Sequence, residues 1–101
     1  MPAITLNEEN FEKEVKQSGL PVLVSFHSGE RKSPEKSPVD CVSERMSGLL
    51  KCCKINAGSN PRLTGKYRIR KLPTILLFKS GKVTDTIVGE TRTEQLMRIL
   101  Q

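Results

Sequence analysis

Tryptophan is absent from this chain of 101 residues, and tyrosine occurs only once. The other hydrophobic residues are not scarce, because the hydrophobic set makes up 36% of the sequence. That proportion suffices for one compact core and exceeds what a disordered chain contains. We therefore expect one domain covering residues 1–101. No apolar run reaches the roughly 18 residues of a membrane-spanning helix, so we expect no membrane partner.

Cysteine is also scarce, since the chain contains only Cys41, Cys52 and Cys53. Three cysteines cannot form a fully paired disulfide framework, and the first residues lack the basic start and apolar stretch of a secretory signal. A cytoplasmic location is therefore expected. The three cysteines and the single histidine lack Cys-x-x-Cys spacing, so we expect no metal and no other cofactor.

Acidic residues are outnumbered by basic ones, 11 to 17, which gives a net charge of +6. A charge of this size in a small domain mainly favours solubility, but it also permits an acidic or anionic ligand. Nucleic acid is not an expected partner, because the chain has few aromatic side chains on which bases could stack.

Apolar runs bounded by turn residues predict the strands. We expect strands at 20–26, 51–56, 74–78 and 83–88, with a hairpin turn at Ser80-Gly81 between the last two. The earlier strands alternate with helices, which implies parallel crossovers. The fold class is therefore α/β, with a central mixed sheet and helices on both faces.

Capping residues and helical spacing predict the helices. Asn7 is expected to cap a first helix that buries Phe11 and Val15, and Asn60-Pro61 is expected to start the third. The segment 91–94 has the spacing of a capping box ahead of the last helix. The second helix is predicted from an apolar stripe formed by Val39, Val42, Met46 and Leu49.

This order of elements resembles the thioredoxin family, and so do several motifs. The segment 22–26 resembles the strand that leads into a thioredoxin active site, and 54–70 resembles the middle of such a chain. Leu72-Pro73-Thr74, with the hairpin that follows and Gly89, resembles the family's cis-proline loop. The resemblance implies a thioredoxin fold, a central mixed five-stranded sheet flanked by four helices, and an extended protein or peptide partner beside Pro73.

The segment that corresponds to the family's Trp-Cys-Gly-Pro-Cys motif contains no cysteine here. A thioredoxin needs a thiolate at the start of the second helix, where the helix N-terminus lowers its pKa. Counting back from Pro38 places Glu30 and Ser33 at the two cysteine positions. Counting forward from Phe26 places Arg31 and Pro34 there.

Two further positions bear on the expected chemistry. The family's buried aspartate corresponds to Ser25, whereas its companion lysine is matched by Lys54. His27 takes the place of an active-site aromatic residue, and we interpret it as a spacer at the strand end. With both cysteines and the aspartate replaced, we expect no disulfide reductase activity.

The leading hypothesis is a non-catalytic module that binds a protein or peptide at the cis-proline groove. A thiol–disulfide oxidoreductase that uses a displaced cysteine is the alternative, with each cysteine otherwise a small buried hydrophobic residue. A third hypothesis is an anion site on the basic surface. The expected binding residues are Arg31, Lys32, Arg70, Lys71, Leu72 and Pro73.

Overall fold

A computed structural model describes residues 4–28 and 38–100. Five strands form one sheet in the order β1-β3-β2-β4-β5, where the strands are β1 (Ile4–Leu6), β2 (Val22–His27), β3 (Lys51–Asn56), β4 (Thr74–Lys79) and β5 (Lys82–Val88). The flanking helices are a π-helix (Glu12–Lys16), α1 (Pro38–Arg45), α2 (Pro61–Lys66) and α3 (Thr93–Ile99). The predicted α/β architecture with a mixed five-stranded sheet is confirmed. Within these described ranges, no helix is long and apolar enough to cross a membrane.

Strand β2 lies at the centre of the sheet and is covered on both faces. It pairs in parallel with β3 and antiparallel with β4. Val24 and Phe26 belong to the core under the π-helix and α2, whereas Leu23 belongs to the core under α1 and α3. Burial on both faces explains why this strand is a continuous apolar run rather than an alternating one.

Three aromatic rings form the centre of the core on the π-helix side. Phe11, Tyr67 and Phe78 contact one another in pairs, with ring centroids 5.4–5.9 Å apart. Phe78 meets both of its neighbours edge to face, an arrangement that aromatic quadrupoles favour. The rings come from the turn before the π-helix, the end of α2 and β4, so they tie these three elements together.

The predicted apolar stripe of the second helix ends earlier than expected. Val39 and Val42 are buried, but Leu49 is 67% exposed. The helix ends at Arg45, and in the turn that follows, Gly48 adopts a φ of +84°. Leu50 is buried in place of Leu49, because helical spacing no longer applies after the chain turns.

The helix N-termini differ in part from the predicted caps. Asn60 directly precedes α2, but its side chain donates to the carbonyl of Asn56 and accepts the N–H of Glu8 instead of capping that helix. The side-chain oxygen of Asn7 accepts the backbone N–H groups two and three residues on, each at 2.9 Å. The helix that follows is a π-helix, since Gln17 N–H donates to the carbonyl of Glu12. Before α3 the predicted box is displaced by one residue, because Gln95 and not Glu94 reaches back to Arg92 N–H, at 3.2 Å.

The turn after α1 gives a paired prediction. We expect Gly48→Ala to destabilise the protein by about 1–2 kcal/mol, because an L-residue is strained at its positive φ. Gly65→Ala is the matched control: Gly65 lies in α2, and an added Cβ would meet no atom within 4 Å. It should stabilise by about 0.5–1 kcal/mol. Urea unfolding measures both changes, and a Gly48→Ala variant as stable as the parent would contradict this account.

Candidate functional site

The predicted cis-proline loop lies at the end of the sheet where β2 finishes. The Leu72–Pro73 peptide bond is cis, and the Pro73 carbonyl accepts the N–H of Gly89 at 2.8 Å. The next residue, Thr74, pairs with Phe26 of β2. Preceding the proline is an exposed run of side chains formed by Arg70, Lys71 and Leu72. An extended partner laid beside Pro73 would therefore meet two cations and one apolar side chain.

Other predicted site residues fall at or beyond the edge of what the structure describes. Glu30, Arg31, Lys32 and Ser33 lie outside the described residues. His27 is the last residue of β2 and is half-buried, and its backbone carbonyl accepts the N–H of Ala57 at 2.9 Å. Among the predicted site residues, the structure thus describes the loop before Pro73 and two residues of β2, Ser25 and His27.

Helix α1 supplies a carboxylate to Lys54, the residue that pairs with Ser25. Lys54 lies opposite Ser25 in the β2–β3 pairing, and its ammonium is 2.7 Å from each oxygen of Asp40. Lys54 therefore has an acidic partner, Asp40, which lies on helix α1 and not on strand β2, where the family resemblance predicted it. Asp40 was not among the residues predicted for the site, although its position next to the buried Val39 was an available signal.

Cys52 and Cys53 are neighbours on β3 with side chains on opposite faces of the sheet. Cys52 packs in the core with α1 and Cys53 in the core with the π-helix. Their exposed fractions are 4% and 0%. Burial raises the pKa of Cys52 to about 11, against a hydrogen bond with Ser43 that lowers it. Burial likewise raises the pKa of Cys53 to about 12, so both remain protonated thiols at neutral pH.

Cys41 differs from the other two cysteines in its exposure and position. All three thiols are free, but Cys41 is half-buried whereas the others are buried. It follows Asp40 on α1, and Asp40 contacts Lys54. In the sheet, Ser25 pairs with Lys54 on one side and with Ile75 on the other. Ile75 follows Thr74, the residue after Pro73, so Lys54 lies near the end of the sheet that carries Pro73.

Comparison with known proteins gives a consistent assignment. The sequence model of a family described as thioredoxin matches residues 2–101. A thioredoxin of Rickettsia felis is 39% identical over 98 residues, which cover 94% of this chain and 92% of that protein. A thioredoxin of Porphyra purpurea is 35% identical over 88% of this chain and 85% of its own length. Thioredoxin 1 of a Nostoc species is 31% identical over 98% of this chain and 94% of its own length.

These relatives correct two expectations. The prediction of a non-catalytic binding module is wrong, because relatives that align over most of their length are named thioredoxin. The prediction that disulfide reductase activity is lost is wrong for a related reason. It rested on the absence of cysteine from one segment, whereas the relatives favour the alternative, an oxidoreductase that uses a displaced cysteine, and the chain carries Cys52 and Cys53 side by side and Cys41 on α1.

Proposed function

Since the chain belongs to the thioredoxin family, we propose that it catalyses thiol–disulfide exchange with a cysteine displaced from the family's usual segment. The observation that carries this proposal is the half-buried Cys41, on the helix whose Asp40 contacts Lys54. Attack on a disulfide requires a thiolate that the substrate can reach. Cys41 is more accessible to a substrate than Cys52 and Cys53, which are buried.

The exchange proceeds in balanced steps. The Cys41 thiolate attacks one sulfur of a substrate disulfide, an S–S bond to Cys41 forms, and the other substrate sulfur leaves as a thiolate that takes up a proton. A reductant with two thiols then displaces the remaining substrate thiolate from Cys41. It closes to its own disulfide and releases the Cys41 thiolate. The reductant supplies the two electrons that the substrate gains.

The substrate in this proposal is a disulfide-bearing protein or peptide held in extended form beside Pro73. Leu72 offers it an apolar contact, and Arg70 and Lys71 favour acidic residues near the disulfide. Three free thiols suit a reducing compartment, so we place this activity in the cytoplasm.

The proposal is tested by the reduction of insulin with dithiothreitol as reductant. We expect the protein to accelerate reduction and Cys41→Ser to lower the catalysed rate by about 10-fold or more, because the nucleophile is lost. Cys53→Ser is the matched control: it removes a thiol that is fully buried, and it should keep most of the rate. An unchanged rate in Cys41→Ser, or no acceleration by the parent protein, would overturn the proposal.

A further inference from the structure

A cavity of about 490 Å³ lies at the end of the sheet where β2 and β3 begin. This volume is within the roughly 300–1,000 Å³ typical of small-molecule sites. Its apolar lining includes Ile4, Leu20 and Leu50, of which Ile4 and Leu20 remain partly open to solvent. The cavity can therefore take up apolar groups that enter from the surface.

The cavity is distant from the loop that carries Pro73. Cys52 lines it and pairs with Leu23 near the start of β2, whereas Thr74 pairs with Phe26 near the end of that strand. Strands advance about 3.3 Å per residue, so the two places lie toward opposite ends of β2. A ligand in the cavity would leave the proposed substrate groove open.

The charged side chains that line the cavity are positive. Among the described residues that line the cavity, Lys13 and Lys51 are cationic and none is acidic. The Lys51 ammonium is already paired, at 2.5 Å from a carboxylate oxygen of Glu14 and 3.0 Å from its backbone carbonyl. Lys13 therefore supplies the excess positive charge at this site.

Polar groups of the lining lie next to its apolar part. Ser47, which follows α1, and Gln17, which follows the π-helix, lie in the lining and carry a hydroxyl and an amide group. These groups can donate hydrogen bonds to an anionic oxygen, while the leucine and isoleucine side chains can cover a hydrocarbon chain. The combination suits a ligand with one anionic end and one aliphatic end.

We propose that this cavity binds a small amphipathic carboxylate, with its chain against Leu20 and Leu50 and its carboxylate at Lys13. Three features of the cavity select this class of ligand: an apolar volume, one excess ammonium group and neighbouring hydrogen-bond donors. This site goes beyond the disulfide exchange proposed above and uses neither Cys41 nor Pro73.

Octanoate is the probe for this site, titrated into the full-length protein at low salt and followed by NMR. We expect the amide signals of Leu20, Leu50 and Cys52 to shift, with those of Leu72 and Gly89 unchanged, and a Kd of about 1 mM for so small a ligand. Acetate, which lacks the chain, and 1-octanol, which lacks the charge, should each bind more weakly than octanoate.

A matched pair of variants tests the role of charge. Lys13→Met should weaken octanoate binding by about 3- to 5-fold, the range of a partly exposed ion pair. Lys16→Met removes the same charge from the same π-helix at a residue outside the lining, and should change binding by less than about 2-fold. Equal weakening in the two variants, equal binding of 1-octanol, or shifts confined to Leu72 and Gly89 would each overturn the proposal.

Discussion

Replacement of Phe78 with alanine is expected to reduce the free energy of unfolding by about 3–5 kcal/mol. The ring is almost fully buried and lies edge to face against both Phe11 and Tyr67. Its removal would leave a cavity that three separate elements border, so a single local shift could not fill it. Urea unfolding monitored by far-ultraviolet circular dichroism gives the change.

The control for this experiment is Val88→Ala on the neighbouring strand β5. Val88 is largely exposed, so its truncation should change stability by no more than about 0.5 kcal/mol. A loss below 1 kcal/mol for Phe78→Ala, on the same scale as the control, would show that the aromatic cluster does not hold the π-helix, α2 and β4 together.

The protein should lose stability steeply above pH 9 because of its two buried thiols. Burial raises the pKa of Cys52 from 9.0 to about 11 and that of Cys53 from 9.0 to about 12. In the unfolded chain these thiols ionise near pH 9, while in the folded chain they keep their protons. The unfolded state therefore binds fewer protons, and stability falls from pH 9 up to pH 11 for Cys52 and 12 for Cys53. At about pH 10.5 the loss is on the order of 2 kcal/mol for each thiol.

The groups responsible are identified by comparing, among variants, how steeply the free energy of unfolding falls with pH. The double variant Cys52→Ala and Cys53→Ala should lose much less stability between pH 8 and 10.5 than the parent protein does. If the parent and the double variant have the same slope in urea unfolding, the destabilisation comes from other groups, such as Tyr67, whose pKa is also raised by burial.

The strands were predictable because each is a short apolar run with a clear boundary. Residues 51–56 form β3 as expected, and the hairpin turn lies at Ser80 and Gly81, both with positive φ. The helices were less predictable at their ends. Nothing in the spacing of the apolar residues indicates that Gly48 turns the chain, so Leu49 was assigned to a stripe that it does not join.

The candidate site was less accessible to sequence reasoning, for a physical reason. The ion pair of Asp40 and Lys54 joins a helix to a strand, and its formation depends on how α1 is rotated over β3. The family pattern identifies Lys54 but predicts its carboxylate partner at the position of Ser25, on β2. The same pattern predicts thiols within residues 29–34, whereas access to a thiol is decided by burial, which separates Cys41 from Cys53.

The strand order also fixes when the sheet can assemble as the ribosome makes the chain. Both strands made first, β1 and β2, take β3 as a neighbour and do not pair with each other. At roughly 5–20 residues per second, synthesis from the end of β2 to the end of β3 takes about 2–6 s. Throughout that interval the apolar run of β2 has no partner strand, and its second neighbour, β4, comes later still. The nascent chain therefore passes through a stage in which an apolar strand of the later core is open to binding by a chaperone.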